Sequence, residues 1–67
     1  MPYEEFQEKV KEALTSAGHS LTWTELRTAT GLPQKYPNNR WVHRLEKDIG
    51  LRRDRDEHGR VQWELSK

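Results

Sequence analysis

NNRWVHRLEKDIGL (38–51) followed by RRDRDEHGRVQWEL (52–65) reads as one helix that stops at a glycine and then as a strand, a turn and a second strand. Asn38 is a good N-cap because its side-chain oxygen can accept from the free backbone N–H groups of the first turn. Gly50-Leu51 is a glycine-plus-hydrophobe stop, in which the glycine takes the left-handed conformation and the hydrophobe packs back on the helix. These signals predict a third helix over about 38–49. Past it, Val61-Gln62-Trp63-Glu64-Leu65 alternates strictly, and Asp56-Glu57-His58-Gly59 is turn-forming. A terminal hairpin over about 51–65 follows, with Val61, Trp63 and Leu65 expected on its inner face.

Upstream, Pro2 with Glu4 and Glu5 suits a helix start, since proline is tolerated in the first turn and carboxylates favour the positive end of the helix dipole. Tyr3, Phe6, Val10, Ala13, Leu14 and Ala17 recur at the spacing of one helical face, and Gly18 ends it, giving a first helix of about 2–17. Leu21 stands alone among polar neighbours, enough for an edge pairing of two or three residues. Thr22-Trp23-Thr24-Glu25 has the spacing of a capping box, so a second helix runs over about 23–30, with Leu26 and Ala29 expected inward and Gly31-Leu32 as its stop. Pro33 and Pro37 disfavour helix at the residues before them, so 33–37 is a structured loop.

Sixty-seven residues with 31% hydrophobic side chains and no cysteine allow a single domain, 1–67, and exclude both a disulfide framework and a thiolate metal site. A chain this short buries only about 60% of its unfolded surface, so the three Trp, two Tyr and one Phe must supply much of the core. No apolar run approaches the ~18 residues of a membrane span, and the acidic amino terminus is unlike a signal peptide. An intracellular protein with no membrane partner is therefore expected. His19, His43 and His58 lie far apart, with no nucleophile pattern, metal spacing or glycine-rich phosphate loop around them. No catalytic residue, metal or cofactor is expected, and the chain reads as a non-enzyme.

The net charge of +1 conceals an uneven split: residues 1–25 carry two lysines against five glutamates, residues 26–67 ten Lys and Arg against six Asp and Glu. Such asymmetry points to an anionic partner for the basic part. On a helical wheel advancing ~100° per residue from Trp41, the residues Trp41, Val42, Leu45 and Ile49 fall within about 0–100°, while Asn39, Arg40, His43, Arg44 and Lys47 fall at roughly 160–300°. The second arc holds no carboxylate; Glu46 and Asp48 flank it, where they can pair with Arg or Lys one turn away.

In order, the elements are helix, short strand, helix, loop, helix, strand, turn, strand. Leu21-Thr22 with Glu25-Leu26, Thr30-Gly31-Leu32, Leu45 with Ile49-Gly50-Leu51 and Arg53, and Gly59-Arg60-Val61 with Trp63 and Leu65 together resemble the winged helix-turn-helix superfamily over nearly the whole chain. The resemblance implies a small α+β fold of three helices with a C-terminal β-hairpin wing and a short edge strand. It also implies a non-catalytic module that binds double-stranded DNA in transcription or other DNA-associated regulation, with the third helix in the major groove and the wing on the backbone. Asn39, Arg40, His43, Arg44 and Lys47 would then meet bases and phosphates, with Lys35 and Arg60 assisting at phosphates. Among the wing arginines Arg52, Arg53, Arg55 and Arg60, the last is favoured because it follows the turn glycine, while Asp54, Asp56 and Glu57 would repel DNA or pair with the arginines. No long terminal helix of a dimerising kind is present, so a monomer is expected. The alternative is a protein-interaction winged helix that docks on a partner through Trp23 and the 33–37 loop.

Overall fold

The computed structural model describes residues 2–33 and 37–66. Three helices, α1 (Tyr3–Ala17), α2 (Trp23–Thr30) and α3 (Asn39–Asp48), and three strands, β1 (Leu21–Thr22), β2 (Leu51–Arg55) and β3 (Val61–Leu65), make an α+β fold. The strands form one antiparallel sheet in the order β1-β3-β2. No helix among the described residues is long and apolar enough to cross a membrane.

The helix ends follow from local chemistry. Pro2 and Asn38 are caps rather than helical residues, so α1 and α3 each begin one residue later than the sequence suggests. Asn38 accepts from the backbone N–H of Arg40 at 3.0 Å and of Trp41 at 3.2 Å. The capping box of α2 is complete: Glu25 N–H donates to Thr22 Oγ1 at 3.2 Å, and Thr22 N–H donates to Glu25 Oε1 at 2.8 Å. Hydrogen bonding to the ionised carboxylate, from the Thr22 backbone foremost, holds the Glu25 pKa below its ordinary value. At the far end of α3, Ile49 is the C-cap and Gly50 turns the chain into β2 at φ +71°.

A side chain at Gly50 would be strained by that positive φ, and its Cβ would stand 2.7 Å from Ser66 Oγ. Gly50→Ala is therefore expected to lower unfolding stability by about 1–2 kcal/mol, the cost of a left-handed residue. Urea denaturation of the two proteins checks this, and an unchanged midpoint would contradict it.

The core is a single cluster of Tyr3, Phe6, Val10, Leu14, Leu21, Leu26, Leu32, Val42, Leu45, Leu51 and Trp63. Ala13, Ala17, Trp23, Trp41, Ile49 and Leu65 pack against it, half-buried. An unbroken chain of rings runs through it: Tyr3 to Trp41 at 5.7 Å, Trp41 to Phe6 at 5.1 Å, Phe6 to Trp23 at 6.4 Å and Trp23 to Trp63 at 5.2 Å. These edge-on and tilted contacts are the arrangement aromatic quadrupoles favour, and they tie α1, α3, α2 and the sheet to one another.

Two positions expected inward are not. Ala29 is exposed at an open groove that it lines with Lys9, Ala13 and Ala17 of α1. Val61 is 38% exposed although it alternates with buried Trp63. Val61 pairs with Arg55 at the turn end of the hairpin, and β1, its neighbour on the other side, pairs only with Trp63 and Gln62. Val61 thus lies beyond the end of β1, where the sheet is only two strands wide.

Candidate nucleic-acid interface

The face of α3 opposite Val42 and Leu45 is built by the helix itself. Asn39, Arg40, His43, Arg44 and Lys47 are all exposed on it, while Val42 and Leu45 are fully buried and fix the helix rotation. The first turn of α3 contains no acidic residue. Arg40, Arg44 and Lys47 form no ion pair with a described residue. The flanking carboxylates are engaged otherwise than the wheel suggests. Glu46 Oε1 lies 3.3 Å from His43 Nδ1, an exposed pair of small energetic weight. Asp48 Oδ2 accepts a hydrogen bond from the Tyr3 hydroxyl of α1 at 2.8 Å.

Arg44 marks the edge of the face nearest α1, since its guanidinium carbon sits 3.7 Å from the centre of the Tyr3 ring. A cation at that distance is attracted by the ring face, an interaction worth about 0.5–1 kcal/mol at an exposed position. Burial, together with the bond to Asp48, pushes the Tyr3 hydroxyl up to about 12 from its ordinary 10.0. Tyr3 thus remains a neutral hydrogen-bond donor at any physiological pH.

The hairpin register separates arginines that look equivalent in sequence. Residues directly opposite on paired strands share a face. Leu51 with Leu65, Arg53 with Trp63 and Arg55 with Val61 therefore lie on the core side, and Arg52 with Glu64 and Asp54 with Gln62 lie on the outer side. Arg52 donates to Asp54 Oδ2 at 3.5 Å, an exposed pair of small energetic weight, and stands opposite Glu64 in register. Arg53 lies over the Trp63 ring at 5.5 Å, with its Nε buried and without a hydrogen-bond partner among the described residues. Arg55 is exposed at the end of the core-side face. The signal that separates them is in the sequence: alternation from the apolar Leu51 puts Arg53 and Arg55 on its face of β2 and Arg52 on the other.

Arg60 is placed elsewhere. Its side chain stands by the start of α2, in a cleft lined by Thr22, Trp23, Glu25, Val61 and Gln62, and it helps to lower the Glu25 pKa. It is exposed there, with the Glu25 carboxylate within electrostatic reach. Lys35, the remaining expected phosphate contact, lies outside the described residues, as does most of the 33–37 loop.

Asp56 neither pairs with the arginines nor stands free. Its Oδ1 accepts from the backbone N–H of His58 and of Arg60, both at 2.9 Å, and its Oδ2 accepts from Gln62 Nε2 at 2.9 Å. Gly59 completes the turn at φ +78°. The Gln62 bond, followed by the Arg60 amide, holds the Asp56 pKa below its ordinary value. A depressed carboxyl stabilises the fold above its unfolded pKa of about 3.9, and that contribution disappears as pH falls through the lower folded value. Acidification from about pH 5 to pH 2 is accordingly expected to expose the His58 and Arg60 amides to solvent exchange. Asp56→Asn should remove that pH dependence, and identical profiles for both proteins would contradict the assignment.

Comparison with protein-family models, with curated proteins and with solved structures finds no significant match for this chain, so the reading of the α3 face rests on its own geometry.

Proposed function

We propose that the chain is a non-catalytic winged helix-turn-helix module that binds double-stranded DNA, with α3 entering the major groove and the hairpin lying along the backbone. The observation that carries this reading is the α3 face: three cations with no ion pair among the described residues, one amide side chain and one imidazole share a single exposed surface of a helix whose other side is locked into the core. Lys and Arg there are suited to phosphates and guanine edges, and Asn39 at the first turn to adenine. The element order and the hairpin that follows α3 directly support the same reading. The docking alternative draws little support from Trp23, because that ring is half-buried between Phe6 and Trp63 and serves the core.

With a net charge of only +1, binding by one module is expected to be weak, in the micromolar range or looser, and sequence-tolerant. A titration of isotope-labelled protein with a random-sequence duplex at low salt tests the proposal. Amide signals of residues 39–47 should move first and furthest. No shifts with any duplex, or shifts confined to α1, would overturn it.

A further inference from the structure

Arg44 and Asp48 stand four residues apart on α3, the spacing at which opposite charges on a helix surface normally pair. They do not pair here. Tyr3 lies between them: its hydroxyl donates to Asp48 Oδ2 at 2.8 Å, and its ring face receives the Arg44 guanidinium at 3.7 Å. The ring is fixed from a third side by Trp41, edge to face at 5.7 Å, and Tyr3 as a whole is only 6% exposed. Residues 41, 44 and 48 of α3 therefore grip one aromatic of α1, and this aromatic occupies the carboxylate that would otherwise claim Arg44.

We propose that Tyr3 is a positioning residue for nucleic-acid binding, which holds the Arg44 and Asp48 charges apart and so leaves the Arg44 guanidinium available to a backbone phosphate. The proposal rests on the DNA-binding reading for its consequence, though the separation of the two charges is a property of the free protein. Stacking on the ring face leaves the N–H edges of a planar guanidinium open, and those edges are the groups that bond phosphate oxygens. A hydroxyl keeps Asp48 in place without adding a charge of its own, because Tyr3 ionises far above neutrality.

Tyr3→Phe tests this while retaining the ring beneath Arg44. With the hydroxyl gone, Asp48 is free to pair with Arg44. Duplex affinity is then expected to fall by about two- to fivefold, and the log–log salt slope to become shallower by up to about 0.9, the value of one phosphate contact. Removing the carboxylate should abolish the effect, so Tyr3→Phe/Asp48→Asn should bind like Asp48→Asn alone. A purely structural loss from the hydroxyl would persist in the double variant. Binding by Tyr3→Phe at the parent's affinity and slope, or a double variant weaker than Asp48→Asn to the same degree, overturns the proposal.

A second arm uses no DNA. In Tyr3→Phe, Arg44→Gln should shift the NMR signal of the Asp48 carboxyl carbon, whereas in the parent the same change should leave it nearly in place. If both backgrounds respond equally, Tyr3 does not separate the charges, whatever the protein binds. If only the Tyr3→Phe background responds but the parent binds no duplex, the separation stands and the DNA-binding reading is what fails.

Discussion

Trp63→Ala is expected to leave the chain largely unfolded at 25 °C. The indole is 1% exposed at the middle of the central strand, between Leu21 of β1 and Arg53 of β2 in register. Its ring meets Trp23 at 5.2 Å and, through it, the aromatic chain that joins the helices. Removing a core tryptophan costs about 3–5 kcal/mol, the forfeited transfer energy plus the cavity left behind. At about 0.05–0.15 kcal/mol per residue, a domain of this length has roughly 3–10 kcal/mol of total stability, and one this small sits toward the lower end, so the substitution takes most of it. Circular dichroism with thermal and urea melts would show it directly. Val61→Ala, two residues away on the same face but 38% exposed, should change stability by less than about 0.5 kcal/mol. A Trp63→Ala protein melting cooperatively near the parent's midpoint would remove Trp63 from the centre of the core.

The contrast between Trp63 and Val61 shows where sequence reasoning reaches and where it stops. Alternation fixes which residues share a face of β3, and that much holds for Val61, Trp63 and Leu65. It says nothing of how far the neighbouring strand extends, and β1 ends before Val61. Helix limits are legible because they depend on bonds within a few residues, as at Thr22, Asn38 and Gly50. The polar face of α3 is legible for the same reason, since a helical wheel needs only local geometry. Bonds between distant elements are not. Nothing in Tyr3-Glu4-Glu5 indicates that the Tyr3 hydroxyl will meet Asp48, 45 residues on. Likewise Asp56 looks like one more acid among the hairpin arginines until the turn shows two amides and a glutamine converging on it. The place of Arg60 after Gly59 favours it as a phosphate ligand, and nothing there indicates that its charge also acts on Glu25, 35 residues earlier in the chain.

Replacing Arg40, Arg44 and Lys47 together by Ala is expected to weaken duplex binding strongly while leaving the fold intact. All three are exposed, and Val42 and Leu45, which anchor α3, are untouched. The substitution does remove the stacking of Arg44 on the Tyr3 ring, about 0.5–1 kcal/mol, within what the domain can forgo and still fold. If the three cations neutralise phosphates, each releases counterions on binding and contributes ~0.9 to the slope of log affinity against log salt. The slope should therefore become shallower by about two to three units, with the fall in affinity greatest at low salt. Neutralising the acidic helix supplies the comparison. Glu4, Glu5 and Glu8 are exposed on α1, and replacing them by Gln raises the net charge without touching α3. That variant should bind slightly more tightly through general attraction, with the same residues of α3 shifting in the NMR titration. A well-folded triple variant of unchanged affinity and slope would mean that the α3 face is not the site. The duplex would then be bound through another surface, and the α3 cations would be only a solvated face.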